Sequence, residues 1–224
     1  MERRAYILAN GDVTDYSRLA VCLRPDDLLI AADGGLRHFK AMNLQPHILL
    51  GDLDSVTPEE IEEARAHGVR IIRFPVEKDE TDLQLAIDQA VEEGCLQIVI
   101  GGGLGGRLDQ TLGNIFLLQQ PAHPSVNVSL DDGLEEVSLI TAEAEINGQA
   151  GDIVSLLPLG GPVYDVKTFD LKYPLDYEKL FPEKTRGISN VMTGMRARVT
   201  ISRGLLICIH TRGSKPGTHW RNLI

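Results

Sequence analysis

The sequence predicts an α/β fold, with a parallel-sheet domain followed by a small antiparallel β-sandwich domain. Three observations carry this. Up to Asp131, short apolar runs alternate with amphipathic stretches, as βαβ units require. Beyond Asp132-Gly133 the helical patterns vanish, and short runs separated by Gly, Pro and Asp take over. In the first half, the apolar runs end repeatedly in acids or glycines, which would gather polar groups along one edge of the sheet.

Taken in order, Tyr6–Ala9 reads as the first strand and breaks at Asn10-Gly11-Asp12. Leu28–Ala32 is the second, ending in Asp33-Gly34-Gly35, and a helix over Leu36–Met42 follows. Ile48–Leu50 is the third, ending in Gly51-Asp52-Leu53-Asp54. Thr57-Pro58-Glu59-Glu60 then opens a helix: Thr57 suits the N-cap, Pro58 the first helical position, and the acids the first turn. Gly68 ends it, and Val69–Phe74 returns as a strand. A helix over Asp82–Glu93 places Leu83, Ala86, Ile87, Ala90 and Val91 on one face and stops at Gly94. Strand Ile98–Ile100, a helix over Asp109–Gln119 and strand Val126–Leu130 complete a Rossmann-like, parallel series. The second half gives strands Val137–Thr141, Glu143–Ile146, Ile153–Pro158, Val163–Thr168, Arg196–Ser202 and Leu205–His210. Ser202-Arg203-Gly204 reads as a hairpin turn, and Asp176–Leu180 as a helical turn. The change of pattern divides the chain into domains 1–131 and 132–224.

The net charge of −10 argues against a general nucleic-acid binder and suits a protein that binds cations, or phosphates through metal. Cys22, Cys95 and Cys208 are widely spaced and read as buried small hydrophobes. The six histidines show no metal-ligand spacing. The N-terminus lacks a signal-peptide core, and no apolar run approaches the roughly 20 residues that span a bilayer, so a cytoplasmic protein without membrane contact is expected. Trp220 suits either stacking on an aromatic ligand or a loosely ordered C-terminus.

Three motifs carry chemistry. In extended backbone, positions two apart point to the same side, so Asp52 and Asp54 would converge on one cation. Magnesium is the expected ion, because it takes one or two carboxylates and completes its shell with phosphate oxygens and water. A merely acidic turn is the plain alternative. Lys78-Asp79-Glu80-Thr81-Asp82 opens a helix. Asp79 suits its N-cap, but a lysine there opposes the helix dipole and calls for an anionic partner. Gly101-Gly102-Gly103-Leu104-Gly105-Gly106-Arg107-Leu108-Asp109 joins a strand to a helix. Its glycines, Gly102 among them, let backbone amides approach phosphate, and Arg107 adds a forked donor. It matches neither the Walker pattern nor the dinucleotide fingerprint, and a flexible loop is the alternative.

In this order, Asp33-Gly34-Gly35, Gly51-Asp52-Leu53-Asp54-Ser55, Lys78-Asp79-Glu80-Thr81-Asp82, Gly105-Gly106-Arg107-Leu108-Asp109 and Gly187-Ile188-Ser189-Asn190 resemble the motifs of thiamine pyrophosphokinases. The resemblance runs from Ile7 to about His210. It implies transfer of pyrophosphate from ATP to the hydroxyl of thiamine, giving thiamine diphosphate and AMP. The first domain would bind ATP and carry the catalysis, and the second would bind thiamine. Asp52, Asp54 and Asp82 would be the catalytic acids that hold Mg2+. Asp33, Lys78, Asp79, Thr81, Arg107 and Asp109 would line the nucleotide and phosphate site. Ser189 and Asn190 would meet thiamine across a homodimer interface. One departure is visible: Gln110 stands where family members commonly carry His after the Arg-x-Asp element. Another magnesium-dependent nucleotidyl or phosphoryl transferase, or a non-catalytic nucleotide or thiamine sensor, are the rival readings of the same residues.

Overall fold

The computed structural model describes residues 3–13, 15–119 and 125–213, and Trp220 therefore lies outside the described residues. The chain forms two compact units that divide between Gly133 and Leu134.

The first unit runs β1 (Arg4–Leu8), α1 (Tyr16–Val21), β2 (Leu28–Ala32), a 3-10 turn at Asp33–Gly35, α2 (Leu36–Ala41), β3 (Ile48–Gly51), α3 (Pro58–Ala66), β4 (Arg70–Arg73), α4 (Asp82–Glu92), β5 (Gln97–Gly101), α5 (Leu108–Leu117) and β6 (Asn127–Asp131). Its strands lie in the order β6-β5-β1-β2-β3-β4, all paired in parallel. The order reverses between β1 and β5, a topological switch point of the kind at which α/β sheets open a ligand crevice. Helices cover such sheets on both faces, so central strands are apolar throughout. Accordingly Ala5, Tyr6, Ile7 and Leu8 of β1 are all buried. Leu8, Ala31, Leu49, Phe39 and Ile61 belong to one apolar cluster.

Local chemistry fixes the helix starts. Thr57 and Glu60 form a reciprocal capping box at α3, with Pro58 in its first turn. Asp15 caps α1, a short helix that the apolar pattern did not mark. At α4 the cap is Thr81, whose hydroxyl accepts from Gln84 N, rather than Asp79.

In the second unit, β7 (Glu135–Ile140), β8 (Glu143–Asn147), β9 (Ile153–Pro158), β10 (Val163–Phe169), β11 (Glu178–Leu180), β12 (Asn190–Val191), β13 (Arg196–Thr200) and β14 (Leu206–Thr211) form two antiparallel layers. Their orders are β12-β9-β14-β7 and β11-β10-β13-β8. Val154, Leu156, Leu206 and Cys208 from the first meet Val163, Val166, Ala197 and Val199 from the second in one buried cluster, the core of a sandwich. Two local expectations are corrected. Asp176–Leu180 is not a helical turn, because Val163 and Val166 pair with Leu180 and Glu178 and make that stretch an edge strand. Ser202-Arg203-Gly204 does not close a hairpin. Ser202 N donates to Tyr164 O, and Tyr164 N to Arg203 O, so the chain follows β10 before passing from β13 in one layer to β14 in the other.

Candidate active site

Every strand from β1 to β5 sends its carboxyl-end loop to one cleft of about 700 Å³. Asn10, Gly11 and Asp12 come from the end of β1, Asp33 from β2 and Asp52 from β3. Lys78, Thr81 and Asp82 come from the segment between β4 and α4. Gly102, Gly103, Gly105, Gly106 and Arg107 follow β5, and Gln110 and Asn114 project from α5.

At the acidic side of the cleft, carboxylate oxygens of Asp33, Asp52 and Asp82 lie within 4.8 Å of one another. Gly51 makes this possible. Its φ is +139°, and a Cβ there would sit 3.1 Å from both Asp33 Cβ and the Asp82 carboxylate. Lys78 Nζ lies 3.0 Å from Asp82 Oδ1 and 3.6 Å from Asp52 Oδ2, supplying the anionic partners that its place near the helix start demanded. Burial raises the pKa of the Asp82 carboxyl and the nearby Asp52 and Asp33 reinforce the rise, while Lys78 opposes it. Asp33 Oδ1 is buried and accepts no hydrogen bond from the described residues. One lysine against three carboxylates, an unmet buried acceptor and an all-oxygen donor set fit a hard divalent cation such as magnesium.

Asp54 stands apart from this trio. The backbone leaves extended geometry at Gly51, and Leu53 has φ +64°, so the two-residue alternation fails. Asp54 is exposed; its amide donates to Asp52 Oδ1 at 3.1 Å, and its carboxylate accepts from Ser55 Oγ. Arg107 and Asp109 pair with each other at 2.6 Å, and the pair is mostly exposed. Arg107 borders the cleft, whereas Asp109 and Asp79 do not line it. Ser189 and Asn190 belong to the second unit. Ser189 is exposed with φ +57°, and its amide donates to Ser155 Oγ. Asn190 is buried, its side chain exchanging hydrogen bonds with the Tyr173 backbone. It borders a second cleft of about 500 Å³ with Tyr173, Lys184 and Arg186.

Arg37, Gln110 and Asn114 line the first cleft without having been assigned to it from the sequence. Arg37 reaches from α2 to the Asn10 and Gly11 carbonyls, and Asn114 Nδ2 donates to Gly103 O. The sequence signals were indirect: Asn10-Gly11-Asp12 is another polar strand end, and Gln110 directly follows the Arg-x-Asp element. Burial pushes the Cys208 thiol up to about 12, which leaves it inert. Among the described residues, no helix is long and apolar enough to cross a membrane.

Comparison with known proteins finds matches over both halves of the chain. Residues 20–130 match the family model for the thiamin pyrophosphokinase catalytic domain, and residues 140–206 that for its vitamin B1 binding domain. The chain is 29% identical over 186 residues to thiamine pyrophosphokinase of Bacillus subtilis, covering 82% of this chain and 87% of that one. It is 28% identical over 180 residues to thiamine pyrophosphokinase 1 of Oryza sativa, covering 76% and 68%. The crystal structure of the Bacillus subtilis enzyme superposes with a TM-score of 0.84 at 27% identity, over 95% of this chain and all of that one. With both of its halves matched, the chain belongs to the thiamin pyrophosphokinase family.

Proposed function

We propose that the chain transfers the terminal diphosphoryl group of ATP to the hydroxyethyl oxygen of thiamine. The new bond joins that oxygen to the β-phosphorus, and the bond that breaks joins the β-phosphorus to the oxygen bridging to the α-phosphate. AMP leaves, and the hydroxyl proton is released. The observation that carries this reading is the Asp33, Asp52 and Asp82 trio at the switch-point cleft of a chain matched by both family models.

Such transfers depend on positioning and on charge stabilisation. Asp52 and Asp82 would hold Mg2+, with Asp54 at the open side of the same turn and Asp33 behind it. When bound, the ion neutralises polyphosphate charge and orients the reacting phosphoryl group. Lys78 keeps the acids together and faces the same charge. The Gly102–Gly106 turn offers backbone amides to phosphate oxygens, and Arg107 a forked donor at its rim, with Thr81, Asp79 and Asp109 around it. Residues 1–131 would be the ATP-binding catalytic domain and 132–224 the thiamine-binding one, with Ser189 and Asn190 meeting the acceptor. We further propose a cytoplasmic homodimer whose site is shared between protomers; a monomeric mass in solution at working concentration would count against it. The deciding assay supplies ATP, magnesium and thiamine. AMP with thiamine diphosphate is expected. ADP with thiamine monophosphate, or no turnover, would overturn the proposal.

A further inference from the structure

We infer that His38, held by Tyr16, is a positioning residue for the polyphosphate end of the cleft. This rests on the proposed use of ATP. The side chain touches no reacting atom. It acts on the two loops that meet at the switch point between β1 and β5.

Those loops are stitched together by backbone. Ala9 N donates to Gly101 O and Gly11 N to Gly102 O, both at 2.9 Å, so the β1–β5 ladder continues past the strands into the floor of the cleft. His38 lies beneath this floor, 2% exposed. Its Nε2 is 2.9 Å from Gly11 O, and its Nδ1 is 2.9 Å from the Tyr16 hydroxyl. A Cβ on Gly102 would come within 3.5 Å of the His38 ring, so the imidazole borders both loops.

The partners select the tautomer. A carbonyl oxygen only accepts, so Nε2 carries the proton and donates to Gly11 O. Nδ1 is then the acceptor, and the Tyr16 hydroxyl donates to it. Arg37 Nε approaches Nε2 at 3.5 Å, at the limit of hydrogen bonding, and yields to the shorter bond. The charged groups around the ring are the Arg37 guanidinium and the Asp12 carboxylate. Burial favours the neutral ring, in agreement with this assignment. The Tyr16–His38–Gly11 chain therefore runs from the α1 surface through α2 to the peptide that faces the phosphates. Arg37 Nη2 donates to the Gly11 carbonyl as well, from the cleft side. With two donors on it, the Gly11 carbonyl is held in place, and the Gly11–Asp12 segment keeps one orientation.

Three variants test this with Mg-ATP and thiamine as the probes. In His38→Ala, KM for ATP and the calorimetric Kd for ATP should rise about tenfold while KM for thiamine stays within twofold, because only the nucleotide end loses a buried donor. His38→Gln keeps an N–H donor and should recover most of the loss. Tyr16→Phe removes one hydroxyl, leaves the ring in place, and should move the ATP terms alone by about threefold. Nitrogen-15 NMR of the unaltered protein at pH 7.5 should show His38 neutral and protonated at Nε2. An Nδ1–H or doubly protonated ring overturns the inference, whatever the activity. So does an unchanged ATP affinity in folded His38→Ala, or in Tyr16→Phe should His38→Ala fail to fold. An equal rise in both KM values does the same, since it marks a general structural role. Turnover to AMP and thiamine diphosphate with unchanged variants refutes this inference and leaves the proposed reaction standing. ATP binding without turnover refutes the reaction, and the ATP Kd values then decide the role of His38. No ATP binding at all overturns both.

Discussion

Replacing Gly102 by alanine tests the claim that the cleft floor is a close-packed backbone surface. Gly102 has φ +66°, a region that costs an L-residue about 1–2 kcal/mol. Its added Cβ would also lie 2.6 Å from Ala9 O. That oxygen belongs to backbone bound into the β1–β5 ladder, and overpacking of this kind costs about 1–3 kcal/mol. The sum is about 2–5 kcal/mol, a large part of the ~5–15 kcal/mol that holds an ordinary domain together. Gly105 is the control. It has φ +83° but open space around its Cβ, so Gly105→Ala should lose only the first part, about 1–2 kcal/mol. At roughly 2–4 °C per kcal/mol for a chain of this size, thermal unfolding followed by circular dichroism should place Gly102→Ala about 4–20 °C below the parent and Gly105→Ala about 2–8 °C below it. If Gly102→Ala is no less stable than Gly105→Ala, the floor yields and the argument for a rigid approach of the two loops is wrong.

Asp52→Asn and Asp82→Asn should each lower kcat/KM about a thousandfold or more with an unchanged circular dichroism spectrum, as measured by AMP release; near-parental rates would remove these acids from the metal site. Asp27 is 3% exposed and takes two bonds from Arg4, both at 2.7 Å. Asp27→Ala, which strands a half-buried guanidinium, should cost about 3–5 kcal/mol in urea unfolding, and a loss under 1 kcal/mol would contradict the buried pairing. Asp152 is buried, and although burial alone would raise its pKa, bonds from Gly213 N, His210 Nε2 and Gln149 N hold it below the ordinary carboxylate value. Its contribution is therefore complete above about pH 4 and is lost as pH falls through the depressed native value. Asp152→Asn should flatten the acid limb of the stability curve, and an unaltered limb would count against this.

The parallel half of the fold was legible because buried strands and amphipathic helices write different periods into the chain. The strand ends at Asn10, Asp33, Asp52 and Gly101 then located the cleft without further help. Legibility failed where local backbone broke the period. Asp52 and Asp54 look paired in sequence, yet the left-handed Leu53 and the open Gly51 turn Asp52 toward Asp33 and Asp82, and leave Asp54 exposed. No spacing rule links positions 33, 52 and 82, because only the order of strands in the sheet brings them together. In the second unit, Ser202-Arg203-Gly204 has hairpin composition but serves a change of layer, a choice made by long-range pairing with Tyr164. His38 sat in an unremarkable helix, and its partners Tyr16 and Gly11 are distant in sequence.

The continuation of the β1–β5 ladder beyond its strands has a consequence for how the site breathes. The amides of Ala9 and Gly11 can exchange their hydrogens with solvent only when the two central strands of the sheet part, so these protons should be among the slowest of the first unit. A side chain at Gly105 would meet open space, and among the described residues that part of the rim is held by a side-chain bond, Thr111 Oγ1 donating to Gly105 O at 3.1 Å, rather than by strand pairing. Adjustment to an arriving polyphosphate is therefore confined to the outer lip of the cleft, while its floor shares the cooperativity of the central sheet.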